Sequence, residues 1–472
     1  MPGRAFSADQ RPQHGEGRAL IDIPQVIDRA LALSRADACI VIGRRQAATN
    51  IRWANNTVTT NGIVDVHVLS VVSVIGRRVA TVTRTHVPPE HIEEIVRESE
   101  AACARKPEAP DYMPLVESGS GSSDWEAPAE PIDAGSLRVF VPQLAAMFER
   151  ARASSVLTFG YADHSMSTVW LAMSTGLRQR YSDTIGRIAV TAKSPDFSRS
   201  AWISRTTRGL TDIDAGALFG TLEQRLIWSK RRIQKPAGHY EVLFEPSCTA
   251  DLALAAYSFM TRREADEGRN PFSRPSGGSR LGERLFGSLT MYSDPNELDI
   301  PATPFHVCAN SEEASSVFDN GLPTARTEWV RDGVLTALVT PRYWAVKVGA
   351  APAPHMNNLI VSGNGSGLDQ MIAETKSGLL VTSLWYIRTV DPQTALMTGL
   401  TRDGVFLIED GEVRGAVNNF RWNMSPINAL AQAVQIGGDV SSAPREYDDL
   451  PRAKAPPVRV ERFHMSSVSE AS

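Results

Sequence analysis

Four short turn signals punctuate the second half of this chain: Asp319-Asn320-Gly321, Asp332-Gly333, Asp403-Gly404 and Asp410-Gly411. Asp and Asn tolerate a left-handed backbone and glycine adopts it freely, so such dipeptides reverse a chain between paired strands. Runs rich in valine and leucine flank most of them. The clearest case sets Gly404–Ile408 against Glu412–Val417 across Glu409-Asp410-Gly411. A segment punctuated this way folds as antiparallel hairpins and makes the second half β-rich.

The first half reads differently. Pro24–Arg35 has a proline at a first helical position and apolar residues along one face. Strand-like runs follow at Ala38–Ile42, Thr49–Trp53, Thr57–Thr60, Val64–Ile75 and Val79–Arg84, an antiparallel meander. A helix begins at Pro88-Pro89, with Ile92, Ile95 and Val96 as its stripe, and Glu117–Glu130 is a surface loop. Leu137–Arg152 is a further amphipathic helix. Strands follow at Ser155–Gly160, Thr168–Ser174, Gln179–Tyr181, Ile188–Ala192 and Ala201–Arg205, then a helix at Asp214–Ser229. The chain thus runs through the same order twice, which suggests a repeat that no residue-by-residue alignment supports.

Lys230–Lys235 with Pro236-Ala237-Gly238 marks a junction. The expected fold class is α+β in two domains. An N-terminal antiparallel sheet with packed helices spans residues 18–235, and a C-terminal β-rich domain spans 236–446. Residues 1–17 and 447–472 read as tails, the second with an edge strand at Val458–Phe463. In the C-terminal domain His239–Phe244 is a strand, Ser247–Thr261 a helix and Asn270–Gly287 a long loop.

With 472 residues, a core of this size needs no staples. The four cysteines, Cys39, Cys103, Cys248 and Cys308, lie far apart and form no C-x-x-C pair. They make neither a zinc module nor a disulfide framework, so a reducing cytoplasm is the expected setting. The net charge of -4 argues against a nucleic-acid binder. No apolar run reaches the roughly 18 residues of a membrane span.

Candidate chemistry is sparse. His86 and His91, beside Glu90, Glu93 and Glu94, are separated by two prolines that prevent one helix from presenting both rings. His239, Glu241 and Glu245 alternate along a strand and share a face, as metal ligands or as an ordinary half-exposed strand face. The glycine-rich runs Gly277–Gly282 and Gly363–Gly367 lack the Lys-Ser/Thr of a phosphate loop and read as flexible loops. No G-x-S-x-G elbow occurs.

Four ordered stretches nevertheless carry a resemblance. They are Pro236–Phe244; Arg326-Thr327-Glu328-Trp329-Val330-Arg331-Asp332-Gly333-Val334-Leu335; His355-Met356-Asn357-Asn358-Leu359-Ile360-Val361-Ser362-Gly363; and Gly378–Thr382 onward through Gly404–Val413 to Gly437-Gly438-Asp439. In that order they resemble the TldD/PmbA family, also called modulators of DNA gyrase, and Ala36–Thr85 fits more loosely. The resemblance implies two domains and, in bacteria, a pair of paralogous subunits forming a zinc-dependent protease for unfolded or small peptides. One subunit of such a pair carries H-E-x-x-x-H, two histidine ligands and a general base. Here the corresponding positions fall near Leu254, Ala255 and Phe259, and no cysteine follows Cys308.

The resemblance therefore implies a PmbA- or TldE-type subunit with no zinc of its own. It implies a TldD-like partner holding the zinc, and a role enclosing that partner's site in the cytoplasm. Asn357 and Asn358 are candidate hydrogen-bonding groups for a peptide backbone in a substrate channel, or members of a turn or strand end. Two alternatives stay open. One is a stand-alone scaffold homodimer. The other is an enzyme with a displaced metal site around His239, Glu241, His306 and His355.

Overall fold

The structure, a computed structural model, describes residues 22–117, 121–130, 132, 134–447 and 452–470. The expected tail at 1–17 lies outside the described residues. Among them the N-terminal domain runs α1 (Ile23–Leu33), β1 (Ala38–Ala54), β2 (Thr57–Ile75), β3 (Arg78–Thr85), α2 (Ile92–Ala104), α3 (Phe140–Ala153), β4 (Leu157–Met173), β5 (Arg178–Lys193), β6 (Ser200–Thr207) and α4 (Ala215–Trp228). The six strands form one antiparallel sheet in the order β3-β2-β1-β4-β5-β6. Each pass of the sequence is therefore helix, three strands, helix, and the two passes join where β1 pairs with β4.

The strands are longer than the sequence suggests. Ala38–Ile42 and Thr49–Trp53 are the two ends of β1, and the runs at Thr57 and Val64 are one strand, β2. The polar interruption Arg44-Arg45-Gln46 is paired backbone rather than a turn, with the Arg45 guanidinium 2.8 Å from Asp65 on the neighbouring strand. Gly43 lets α1 approach closely, since a Cβ there would lie 2.4 Å from Ile23 Cγ2.

Side chains alternate across a strand, and this sheet uses its two faces differently. Cys39 and Val41 of β1 pack under α1 and α2, while Ile51 and Trp53 on the same face pack under α3 and α4. The opposite face presses Ile40, Ile42, Leu171 and Met173 against Phe305, Val317 and Phe318 of the C-terminal domain.

That domain places α5 (Pro246–Tyr257) between two sheets. One sheet runs Val334–Leu335, Thr327–Arg331, Met291–Ser293, Asn358–Val361, Arg452–Ala455, Val440–Ser442. The other runs Leu384–Asp391, Leu396–Thr401, Phe420–Met424, Val458–Val468, Gly238–Phe244, Ser377–Val381, Val405–Glu409, Glu412–Val417, Arg232–Ile233. Two of the four turn signals are hairpin turns of the expected type, with φ of 50° and 80° at Asp332-Gly333 and 51° and 77° at Asp410-Gly411.

Two expectations need correction. The strand at Val458 is interior: it pairs with Phe420–Met424 on one side and Gly238–Phe244 on the other. Its charged residues made it look like an edge, but Val458, Val460, Phe463 and Met465 are buried while Arg459 reaches across to Glu241 at 2.9 Å. The glycine-rich run at 277–282 belongs to a pinned loop rather than a free one. Asn270 Nδ2 donates to the carbonyls of Phe259 and Thr261, and Phe272 and Phe286 are fully buried beneath it.

Candidate functional site in the central helix

Helix α5 starts at a proline whose missing N–H costs nothing in the first turn. Every residue from Ser247 to Tyr257 is buried. The sequence places the helix end at Thr261, but it stops at Tyr257. Beyond the cap residue Ser258 the chain turns extended and pairs with another segment: Val339 N donates to Met260 O at 2.8 Å and Arg262 N to Val339 O at 2.9 Å.

Leu254 and Ala255 consequently sit in the last helical turn, 1% and 0% exposed, while Phe259 lies past its end. None of the three side chains has a lone pair to offer, so these residues do not fit a zinc ion. Among the described residues, no three His, Cys, Asp or Glu side chains come together as a metal-ligand set.

The one acid of the helix, Asp251, is fully buried. Its Oδ2 accepts from Arg445 N at 3.1 Å and its Oδ1 from Glu446 N at 3.1 Å and Tyr447 N at 3.4 Å. Burial pushes its pKa up to about 7 against the pull of those three N–H groups. Asp251 thus fastens the segment that follows Val440–Ser442 onto the helix. At the helix start, Glu245 pairs with Arg225 of α4 at 2.6 Å, both nearly buried, and ties the two domains together.

The two asparagines have different surroundings. Asn358 is fully buried; its Nδ2 donates to the carbonyls of Asp294 and Ile300, each at 2.7 Å, and its Oδ1 accepts from Asp294 N at 3.3 Å. Asn357 is exposed, and its Oδ1 accepts from Thr303 N at 3.2 Å. Asn358→Ala should therefore strand two carbonyls and an N–H, costing about 2–4 kcal/mol. Asn357→Ala should cost well under 1 kcal/mol, as exposed changes do. Paired chemical denaturation curves check this, and equal costs would refute the assignment of Asn358 as a loop anchor.

The remaining candidates do not gather. His239 stacks on His464 with ring centroids 4.6 Å apart, Glu241 pairs with Arg459, and Glu245 with Arg225. His306 and His355 neighbour one another elsewhere, and burial drives both down to about 4. His355 also stacks on Tyr257 of α5 at 5.1 Å. His91 is exposed and its Nδ1 lies 3.1 Å from Glu94. Sequence reasoning missed the Asp251 clamp and the Arg225–Glu245 bridge. A lone acid in an otherwise apolar helix was the signal for the first; the second joins distant segments and left none.

Residues 237–467 match the family model of the PmbA/TldA metallopeptidase C-terminal domain. Its C-terminal domain is thus of the PmbA/TldA metallopeptidase type. Metalloprotease PmbA of Escherichia coli O157:H7 is 28% identical over 135 residues, a stretch covering 27% of this chain and 29% of that relative. TldE from Thermococcus kodakarensis superposes with a TM-score of 0.77 at 16% identity, over 94% of this chain and 99% of that one. A Thermotoga maritima protein, crystallised as a candidate modulator of a DNA gyrase, gives 0.76 at 16% identity over the same shares. At such identities the two structures establish the α+β fold alone. No described helix is long and apolar enough to cross a membrane.

Proposed function

We propose that this chain is a non-catalytic subunit of a metallopeptidase assembly. It pairs with a paralogue bearing H-E-x-x-x-H and helps to enclose that partner's zinc site around an extended, unfolded peptide. The observation that carries this reading is the chemistry of α5. Where the resemblance calls for ligands and a base, this helix has Leu254 and Ala255 packed inside the domain core. Its single carboxylate, Asp251, is engaged by three backbone N–H groups and is not presented to a substrate.

What remains for the chain is scaffolding and peptide handling. Exposed strand edges and grooves hold an extended backbone through main-chain hydrogen bonds. No step through a metal is assigned to this chain.

Native mass spectrometry of the tagged chain, purified from its own host, tests the proposal. The expected result is a 1:1 complex with a chain of similar size and one zinc, the zinc being lost when this chain is isolated. A homodimer that retains zinc by itself would overturn the reading and favour a displaced metal site. A zinc-free homodimer would overturn it in favour of a scaffold.

A further inference from the structure

Strand β2 is 19 residues long, but β3 pairs only with its second half, Val68–Ile75. The first half is held by β1, and among the described residues no strand pairs with its outer side. All nine residues from Thr57 to Asp65 are exposed. Side chains alternate across a strand, so both faces of this half are open as well as its edge. At about 3.3 Å per residue the open edge is about 30 Å long.

Such an edge offers unpaired N–H and C=O groups to any other strand, and folded proteins guard it with lysine, proline, bulges or inward-pointing charges. Thr57–Asp65 holds no lysine and no proline. Its one register shift against β1 lies beside the turn, between Arg52 and Trp53. Its one charge, Asp65, is already engaged by Arg45 at 2.8 Å and by His67 at 3.2 Å. Val58, Ile63 and Val64 are 45%, 57% and 44% exposed.

The second pass of the domain covers the equivalent edge. β5 is the counterpart of β2, and β6 likewise pairs only with its second half, Gly186–Lys193. The first half, Arg178–Ile185, is half-buried throughout. Ser122 N donates to Arg178 O at 2.9 Å, Arg180 N donates to Ser122 Oγ at 2.9 Å, and Arg452 bonds to Asp183. Thr57–Asp65 receives no such cover from the described residues.

We propose that the outer edge of β2 over Thr57–Asp65 is the surface through which this chain pairs with a like-folded subunit, whose equivalent strand lies antiparallel against it. The inference rests on the subunit reading above, on which the like-folded subunit is the paralogue, and it adds the contact. Two arguments favour a subunit's strand over a substrate peptide. An uncharged, β-branched edge left open between substrates would template aggregation, so it needs a permanent cover. The strand also complements its own kind. Antiparallel pairing about Asn61 sets Val58 opposite Val64, Thr59 opposite Ile63 and Thr57 opposite Asp65, with no like charges facing. A two-fold contact of this type closes after two chains and joins their sheets into one.

Hydrogen exchange on the full-length chain, isolated and as the complex purified from its own host, tests the contact. Outward-facing amides of Thr57–Asp65 should exchange at least a hundredfold more slowly in the complex than in the isolated chain. Ile63→Lys with Val64→Lys should cut recovery of the partner at least tenfold. Both positions are exposed, so the variant should fold, and a melting curve checks this. If it does not fold, the exchange comparison on the unaltered chain still decides. A complex in which these amides exchange as fast as in the isolated chain, or a folded variant that keeps its partner, would overturn the contact and leave the subunit reading standing. Protection in a homodimer would keep the contact and sink that reading. Protection in an isolated monomer would mean that the chain covers this edge itself, and protection only on adding an unfolded peptide would assign the edge to substrate; either overturns the inference. A monomer with an open edge and no partner would overturn both.

Discussion

Arg225→Met is expected to destabilise the protein by about 3–5 kcal/mol, because it leaves Glu245 as a buried charge without its partner. The two side chains are 3% and 7% exposed and 2.6 Å apart. Arg225 Nη1 also donates to the carbonyl of Trp202 at 2.6 Å. The pair joins the last turns of α4 to the residue that caps α5, so its loss falls on the contact between domains as well as on local packing. Arg205 lies close enough to feel Glu245 and softens the penalty toward the lower figure. Adding Glu245→Gln to Arg225→Met should recover most of the loss, since removing both charges of a buried pair is often close to neutral. Urea denaturation of the two single variants and the double variant completes the cycle. A cost under 1 kcal/mol for Arg225→Met, or a double variant worse than either single, would show that the pair is not a structural tie.

The hairpins were legible because their turns carry their own chemistry. Asp332-Gly333 and Asp410-Gly411 sit in the left-handed conformations that those residue types make cheap. Gly333 is further fixed by crowding, since a Cβ there would lie 1.8 Å from the Gly287 carbonyl oxygen. The interior strand at Val458 was misread for an equally physical reason. Arg459, Glu461 and Arg462 interrupt its alternation, and a register shift between Val460 and Phe463 changes the face its side chains take. A local pattern cannot reveal that a partner strand supplies Glu241, 218 residues earlier, for Arg459. The end of α5 was hidden in the same way, because the residues that stop it at Tyr257 belong to the segment around Val339. That Leu254, Ala255 and Phe259 offer no metal ligand could be read because it depends on residue type alone.

Two buried groups give the stability of this protein opposing dependences on pH. Asp251 has its folded-state pKa raised from 3.8 to about 7 by burial, so between those values the folded chain holds a proton that the unfolded chain has lost. Its contribution is most favourable below pH 4 and is lost as the pH rises through 7, by up to about 4 kcal/mol at 1.36 kcal/mol per unit. His306 works the other way. Burial lowers its folded pKa from 6.5 to about 4, and its Nε2 has no hydrogen-bond partner. The unfolded chain therefore takes up a proton first on acidification, and stability falls by about 3 kcal/mol as the pH drops from 6.5 through 4. The adjacent His355, lowered to about 4 as well, acts in the same direction. Because two histidines oppose one carboxyl, these three groups together should make the unaltered protein gain about 1.4 kcal/mol per unit between pH 4 and 6.5, and single variants should separate the contributions. Asp251→Asn retains an acceptor for the segment at 445–447 but cannot ionise, so its stability should climb more steeply with rising pH than that of the parent. His306→Gln should give the converse, a chain that loses less stability on acidification. Urea midpoints measured at half-unit steps from pH 4 to 8 read both effects. If the Asp251→Asn profile runs parallel to the parent, the carboxyl titrates alike in folded and unfolded chains, and the three backbone N–H bonds hold it ionised throughout this range.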